Sequence, residues 1–298
     1  MPKKPSIETL ISDIERLLTG GAISEEKLLA EYGLKVAANL AESLAQPLSP
    51  RVPRLRLSAV GKPSRQLHYE LTHAPREEYS AAVLMKFQYG HILEELILYL
   101  AKEAGHEVTH EQREVEVDGV TGHIDAIIDG YVIDVKSASP FGFLKFKDGS
   151  IRDDDGFNYI PQLASYYKAL EKETLGGGFL SINKVSGQLC LCLFSKEELL
   201  SVDVSGHISR QKNVQSDTLR VPSRCFKTIP EGKSGNMGLS RGCSYCPFKY
   251  HCWRDANDGA GLRTFLYSNG PKYLTKVDRL PKVFEAPPPK GLLTKQKG

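Results

Sequence analysis

Apolar residues recur at helical spacing over residues 6–45, with Ile7, Leu10, Ile11, Ile14, Leu17 and Leu18 on one stripe. Ser6 and Ser24 each precede acidic residues and are the expected N-caps, so two or three helices are predicted here. A proline-rich break follows at Gln46–Pro53, then a basic stretch carrying Arg56, Lys62 and Arg65. The strongest helical pattern covers residues 80–104, where Val83, Leu84, Phe87, Leu93, Leu96, Ile97 and Leu100 share a face. Glu94 falls on the flank of that stripe, His91 and Glu95 lie further round, and Gly105 ends the helix. The period then switches from helical to alternating. Val108–Val117, Val120–Asp129 and Tyr131–Lys136 read as strands joined by turns at Asp118-Gly119 and Asp129-Gly130. A long loop is expected at Ser137–Gly156, a helix at Asn158–Leu170, and a hairpin of Gly176–Asn183 with Gln188–Phe194. Residues 213–253 are loop-rich, and residues 257–298 read as a flexible basic tail.

Two aspartates interrupt this pattern. Asp125 and Asp134 each sit inside an otherwise apolar strand, and a buried carboxylate costs free energy unless a cation or hydrogen bonds satisfy it. Side chains alternate along a strand, so Asp134 and Lys136 share one face while Val135 points to the other. Two aspartates beside one lysine can seat a divalent cation and a phosphate. A strand-end salt bridge accounts for the same three residues equally well.

Composition limits the classes without choosing among them. The chain has 298 residues, 41% hydrophobic and 25% charged, with a formal net charge of +3. That permits nucleic-acid binding without arguing for it. No apolar run is long enough to span a bilayer, and the N-terminal stretch lacks the apolar block of a signal peptide, which points to a cytoplasmic protein. In a reducing compartment six cysteines are ligands or core residues rather than disulfides. Cys190 and Cys192 share a strand face with Phe194 and fit a core. Cys243, Cys246 and Cys252 are clustered too tightly for unliganded thiols, and Cys225 is the candidate fourth ligand. Four thiolates suit a [4Fe-4S] cluster or a structural Zn²⁺, with His251 as a further possible zinc ligand.

Four motifs stand in one order: Gly90-His91 with Glu94-Glu95 on a helix, Asp125 with Asp134-Val135-Lys136 on strands, Gln162 with Tyr166 on the next helix, and the Cys243, Cys246, Cys252 trio. In that order they resemble the RecB-like PD-(D/E)XK nucleases, of the kind carried by bacteriophages. The cysteine spacing is similar to that of the AddB-type nucleases and the exonucleases associated with CRISPR adaptation. The resemblance implies an α/β fold: a restriction-endonuclease-like core over residues 51–212, with a mixed central sheet flanked by helices. A helical region (1–50) would precede it and a cysteine module (213–256) follow it. It implies a Mg²⁺- or Mn²⁺-dependent DNA exonuclease working at ends in recombination, replication or DNA degradation, on single- or double-stranded DNA, with a recombination or replication protein as a candidate partner and no membrane. A phage-encoded chain would act in the bacterial host cytoplasm. By the same resemblance Asp125, Asp134 and the Val135 carbonyl would bind the metal, with Glu94 a further ligand and His91 its competitor. Lys136 would orient water or stabilise the phosphate, and Gln162 and Tyr166 would hold the DNA backbone and Lys136. The [4Fe-4S] cluster would be structural. One departure is plain: the relatives place their first cluster cysteine before the core, where this chain has Ser64. The competing readings are a nuclease fold that binds DNA or a partner without cutting, and a zinc module of a DNA-binding regulator.

Overall fold

The computed structural model describes residues 5–21, 25–45 and 54–289. Ser24 and the break at Gln46–Pro53 lie outside the described residues. The first helices are α1 (Leu10–Gly20), α2 (Glu26–Ala45), α3 (Ser64–Leu71) and α4 (Ala81–Glu103). Five strands follow: β1 (Val108–Thr109), β2 (Glu114–Val117), β3 (Val120–His123), β4 (Ala126–Ile128) and β5 (Tyr131–Ala138). Next come α5 (Pro140–Lys147), α6 (Tyr159–Leu170), β6 (Gly176–Asn183), β7 (Leu189–Phe194), α7 (Lys196–Leu200) and α8 (Val204–Ser216). The C-terminal part contains β8 (Ile229–Pro230), β9 (Met237–Gly238), α9 (Arg241–Ser244), α10 (Lys249–Cys252), β10 (Arg263–Tyr267), β11 (Gly270–Lys276) and β12 (Glu285–Ala286). Among the described residues no helix is long and apolar enough to cross a membrane.

The chain divides into two compact units, one of Met1–Gly61 with Ser80–Ile208, the other of Lys62–Tyr79 with the chain from Ser209 onward. Lys62–Tyr79 thus groups with the C-terminal part of the chain. Ile7, Leu10 and Ile14, in and just before α1, are part of the first unit's core.

The first unit is a mixed α/β fold around a sheet of order β1-β4-β5-β6-β7. All neighbours pair antiparallel except β5 and β6, which run parallel and are joined through α5 and α6. Alternation on β5 splits the core. Val132 faces Leu163, Tyr166 and Phe179 on one side, and Ile133 and Val135 face Leu10, Ile97 and Leu98 on the other. The β4–β5 turn is the two-residue type the sequence predicts, with φ of 47° at Asp129 and 83° at Gly130. Its carboxylate also fixes its place: Asp129 accepts the Glu107 N–H at 3.0 Å and lies 2.6 Å from His106 Nδ1, just past the end of α4.

Several expected elements differ. The predicted strand Val120–Asp129 breaks at Ile124-Asp125, with β3 pairing β2 and β4 joining the main sheet. The reason is chemical: Asp125 Oδ2 accepts the Val135 N–H at 2.7 Å, so a side chain stands where the ladder would continue. Val108–Val117 is likewise cut in two, by left-handed residues at His110 and Gln112. The expected loop at Ser137–Gly156 contains α5, started by the Ser139 cap and Pro140, and buries Phe143, Phe146 and Ile151. On α4 only the C-terminal half of the apolar stripe meets the sheet, while Leu84 and Phe87 are exposed.

The second unit has a sheet of order β12-β10-β11-β9-β8 and a core of Leu239, Tyr250, Trp253, Ala256 and Leu262. The flexible tail expected at 257–298 is instead ordered across most of its described part, where Arg263–Tyr267 and Gly270–Lys276 form a hairpin. Ser268-Asn269 between them, followed by Gly270, is the turn signal that reading passed over. Helix α3 is held against the cysteine segment, with Tyr69 edge-on to His251 at 4.9 Å and the Glu77 N–H donating to Pro247 O at 2.7 Å.

Candidate active site

The β4–β5 hairpin and α6 bring most of the sequence-predicted site residues together. Asp134, 1% exposed, and Lys136 emerge on the same face of β5, with Lys136 Nζ 2.5 Å from Asp134 Oδ2. The Gln162 amide nitrogen lies 3.4 Å from Asp134 Oδ1 and 3.1 Å from the Tyr166 hydroxyl. Gln162 thus links Asp134 to Tyr166. Gly122 makes room for it, because a Cβ there would stand 2.7 Å from Leu57 Cβ and 3.1 Å from Tyr166 Cε1. Lys136 is steadied by Tyr159, with its ammonium 4.9 Å from the ring centroid. Tyr159 lies one turn before Gln162 on α6, and that spacing is the signal that could have found it.

Electrostatics tie in two further carboxylates. Burial, then the charges of Asp134 and Glu94, push the Asp125 carboxyl well above its ordinary range. Burial, then Glu95 and Asp134, raise Glu94 to about 7. Burial works against the Lys136 ammonium, but the charges of Asp134 and Asp125 outweigh it and its pKa is raised. Lys136 is thus a fixed cation at neutral pH and no proton acceptor. Gln112, which sequence reading missed, donates to Glu94 Oε1 at 2.8 Å from a backbone with φ of 54°. A left-handed backbone at a non-glycine residue beside such a group is a common mark of a functional site.

Of the other expected ligands, His91 is exposed, and Val135, whose carbonyl is the atom expected to bind, has its side chain in the core and its N–H taken by Asp125. Glu95, next to Glu94, is buried and accepts from Asn39 Nδ2 at 3.0 Å. Among the described residues no three His, Cys, Asp or Glu side chains converge as a ready metal-holding group. The donor chemistry still fits a hard divalent cation: the charges of Asp134 and Glu94 act on the buried Asp125, those of Glu95 and Asp134 act on Glu94, and such an ion relieves this repulsion.

Cys190 and Cys192 are buried in the first unit's core, and burial raises both thiols. Cys225, Cys243, Cys246 and Cys252 line a single cavity in the second unit, together with Arg65, Tyr69 and Arg224. Burial raises the Cys243 and Cys252 thiols and pushes Cys246 up to about 12. Arg65, from the basic stretch, donates to Tyr69 Oη at 2.9 Å and to Pro222 O at 3.1 Å. Lys62 pairs with Glu70 at 2.8 Å.

No known protein family matches the sequence, and no curated protein does. Among solved structures the chain is similar to an alkaline exonuclease from Laribacter hongkongensis, at 15% identity over 57% of this chain and 91% of that one, TM-score 0.41. It is also similar to a phage-related exonuclease from Haemophilus somnus 129PT, at 12% identity over 58% of this chain and 97% of that one, TM-score 0.43.

Proposed function

We propose that this protein is a metal-dependent DNA nuclease that hydrolyses phosphodiester bonds at DNA ends. The observation that supports this reading is the Asp134–Lys136 pair on β5, contacted by Gln162 of α6, with the charges of Asp125 from the β3–β4 bend and Glu94 from α4 acting in the same buried surroundings. A salt bridge at a strand end explains Asp134 and Lys136 alone. It gives no reason for two more carboxylates with raised pKa values in the same desolvated place.

Asp125, Asp134 and Glu94, with the Val135 carbonyl, would hold Mg²⁺ or Mn²⁺. When bound, such an ion lowers the pKa of a water and neutralises phosphate charge. The chain's own contributions follow from the geometry. Asp125 is kept in place by the Val135 N–H. Asp134 is oriented by Gln162, which Tyr166 in turn holds. The Lys136 ammonium stabilises negative charge building on the phosphate, and stays protonated while doing so. His91, exposed on α4, is the weaker ligand candidate than Glu94.

The four cysteines that line this cavity would hold a structural [4Fe-4S] cluster, for which four thiolates are the ligand set, with a structural zinc ion as the alternative. Arg65 and Arg224 at the cavity wall suit the cluster's negative charge. Cys225 then takes the place of the cysteine that Ser64 lacks, and α3 is joined to the module by packing rather than by ligation.

The test is cleavage of end-labelled DNA with and without Mg²⁺ or Mn²⁺. Metal-dependent release of short products supports an exonuclease. DNA binding without cleavage by the folded, metal-loaded chain would favour the alternative, a silent nuclease fold.

A further inference from the structure

Two exposed aromatic rings lie on chain segments that lead directly out of the candidate site. The first continues from the lysine. Lys136 Nζ stands over the Tyr159 ring at 4.9 Å, and that ring lies 5.6 Å from the Phe157 ring at an interplanar angle of 31°. Phe157 is 54% exposed, and the left-handed turn at Asn158, φ 59°, leads from it into α6. The second begins where β5 ends. Past Lys136 the chain reaches the Ser139 cap of α5, and Phe141 in the first turn is 56% exposed. Lys145 Nζ lies 5.5 Å from the centroid of the Phe141 ring. Lys145 also donates to Asp154 O at 2.8 Å, which ties α5 to the segment carrying Phe157.

The acidic run Asp153–Asp155 beside these rings would repel a polyanion if it were free. Most of its charge is engaged. Asp154 is paired with Lys145, and Asp155 accepts the N–H groups of Tyr159 at 2.9 Å and Ile160 at 2.8 Å. What faces solvent is therefore two flat apolar rings, Phe157 and Phe141, each beside a largely buried lysine, Lys136 at 19% and Lys145 at 16% side-chain exposure. Exposed rings of this size cost hydrophobic free energy, and bases can cover them with no sequence requirement while phosphates meet the lysines.

We propose that Phe157 and Phe141 form a stacking platform for the unpaired bases of a single-stranded DNA end. The strand so held would present its phosphate to Lys136. This deepens the nuclease reading and rests on it, since it assigns that site a single-stranded substrate.

The experiment measures fluorescence anisotropy of a labelled short oligothymidylate bound to the full chain in EDTA, where cleavage plays no part. An abasic strand of the same length and a blunt duplex are run beside it. Phe157→Ala is expected to weaken oligothymidylate binding by about fivefold to a hundredfold, the range for one stacked base. Phe157→Trp should restore it, and abasic-strand binding should be unmoved by either change. Phe141→Ala should act in the same direction. The proposal is overturned if Phe157→Ala binds oligothymidylate as wild type does, if it loses as much affinity for the abasic strand, or if wild type does not prefer oligothymidylate over the abasic strand. The binding result is separate from the nuclease reading, which fails only on absence of metal-dependent cleavage. A surface used instead by a protein partner would show the first of these outcomes.

Discussion

Replacing Glu94 by glutamine should make the metal-free protein more stable and the protein less able to bind metal. Burial, with Glu95 and Asp134 nearby, raises the Glu94 pKa from 4.5 to about 7 in the folded chain. The sign follows from proton linkage. Between those values the folded carboxyl holds a proton that the unfolded one has released, so the wild type loses stability as pH rises from about 4.5 to about 7. A shift of about 2.5 units at about 1.36 kcal/mol each gives about 3.4 kcal/mol as the ceiling above pH 7. Glu94 retains some solvent contact, and screening reduces the expected penalty to about 1–2 kcal/mol. Glu94→Gln removes it, and its amide oxygen can still accept from Gln112. Urea unfolding in EDTA at pH 5 and pH 8 measures the effect. The variant should gain about 1–2 kcal/mol at pH 8 and clearly less at pH 5. With Mg²⁺ added, wild type should gain more than the variant. An equal gain at both pH values, or a loss at pH 8, would refute the idea of mutually repelling carboxylates in a desolvated site.

Other consequences follow from the same structure. Protons compete with the cation at Glu94, so Mg²⁺ affinity should fall as pH drops below about 7, and isothermal titration should record proton release on binding. An affinity flat from pH 6 to pH 8 would remove Glu94 from the ligand set. Gly122→Ala should push against Leu57 and Tyr166, destabilising the first unit by about 1–3 kcal/mol and lowering cleavage more than DNA binding; unchanged stability would show that the close approach at Gly122 is not real. Cys246→Ser should abolish visible absorbance of anaerobically purified protein and lower the stability of the second unit. A colourless wild type holding stoichiometric zinc would replace the cluster with a zinc site.

Which parts were legible in the sequence follows from where local rules decide the structure. The Asp129-Gly130 turn was readable because two left-handed residues between apolar strands leave few alternatives. The face shared by Asp134 and Lys136 follows from strand periodicity alone. The break at Asp125 was not readable, because it depends on a side chain taking the Val135 N–H ten residues away. Helix α5 was hidden by its aromatic and glycine content, although Ser139-Pro140 carried a start signal. The exposed half of α4 could not be told from the buried half, since periodicity marks a stripe and not how much of it a sheet covers. Gln112 carries no motif and acts only through Glu94, which it reaches across the fold, whereas Tyr159 is marked only by standing one turn before Gln162. The joining of α3 to the cysteine segment is tertiary in the same sense.

The central claim is tested most directly by the release of products from end-labelled DNA in Mg²⁺ or Mn²⁺, with wild type and Lys136→Ala compared at equal DNA occupancy. The account predicts metal-dependent cleavage by wild type and a loss of about a hundredfold or more in the variant, the scale for one group that stabilises transition-state charge. Cleavage by Lys136→Ala at the wild-type rate would contradict it, as would a folded, metal-loaded wild type that binds DNA and leaves it intact.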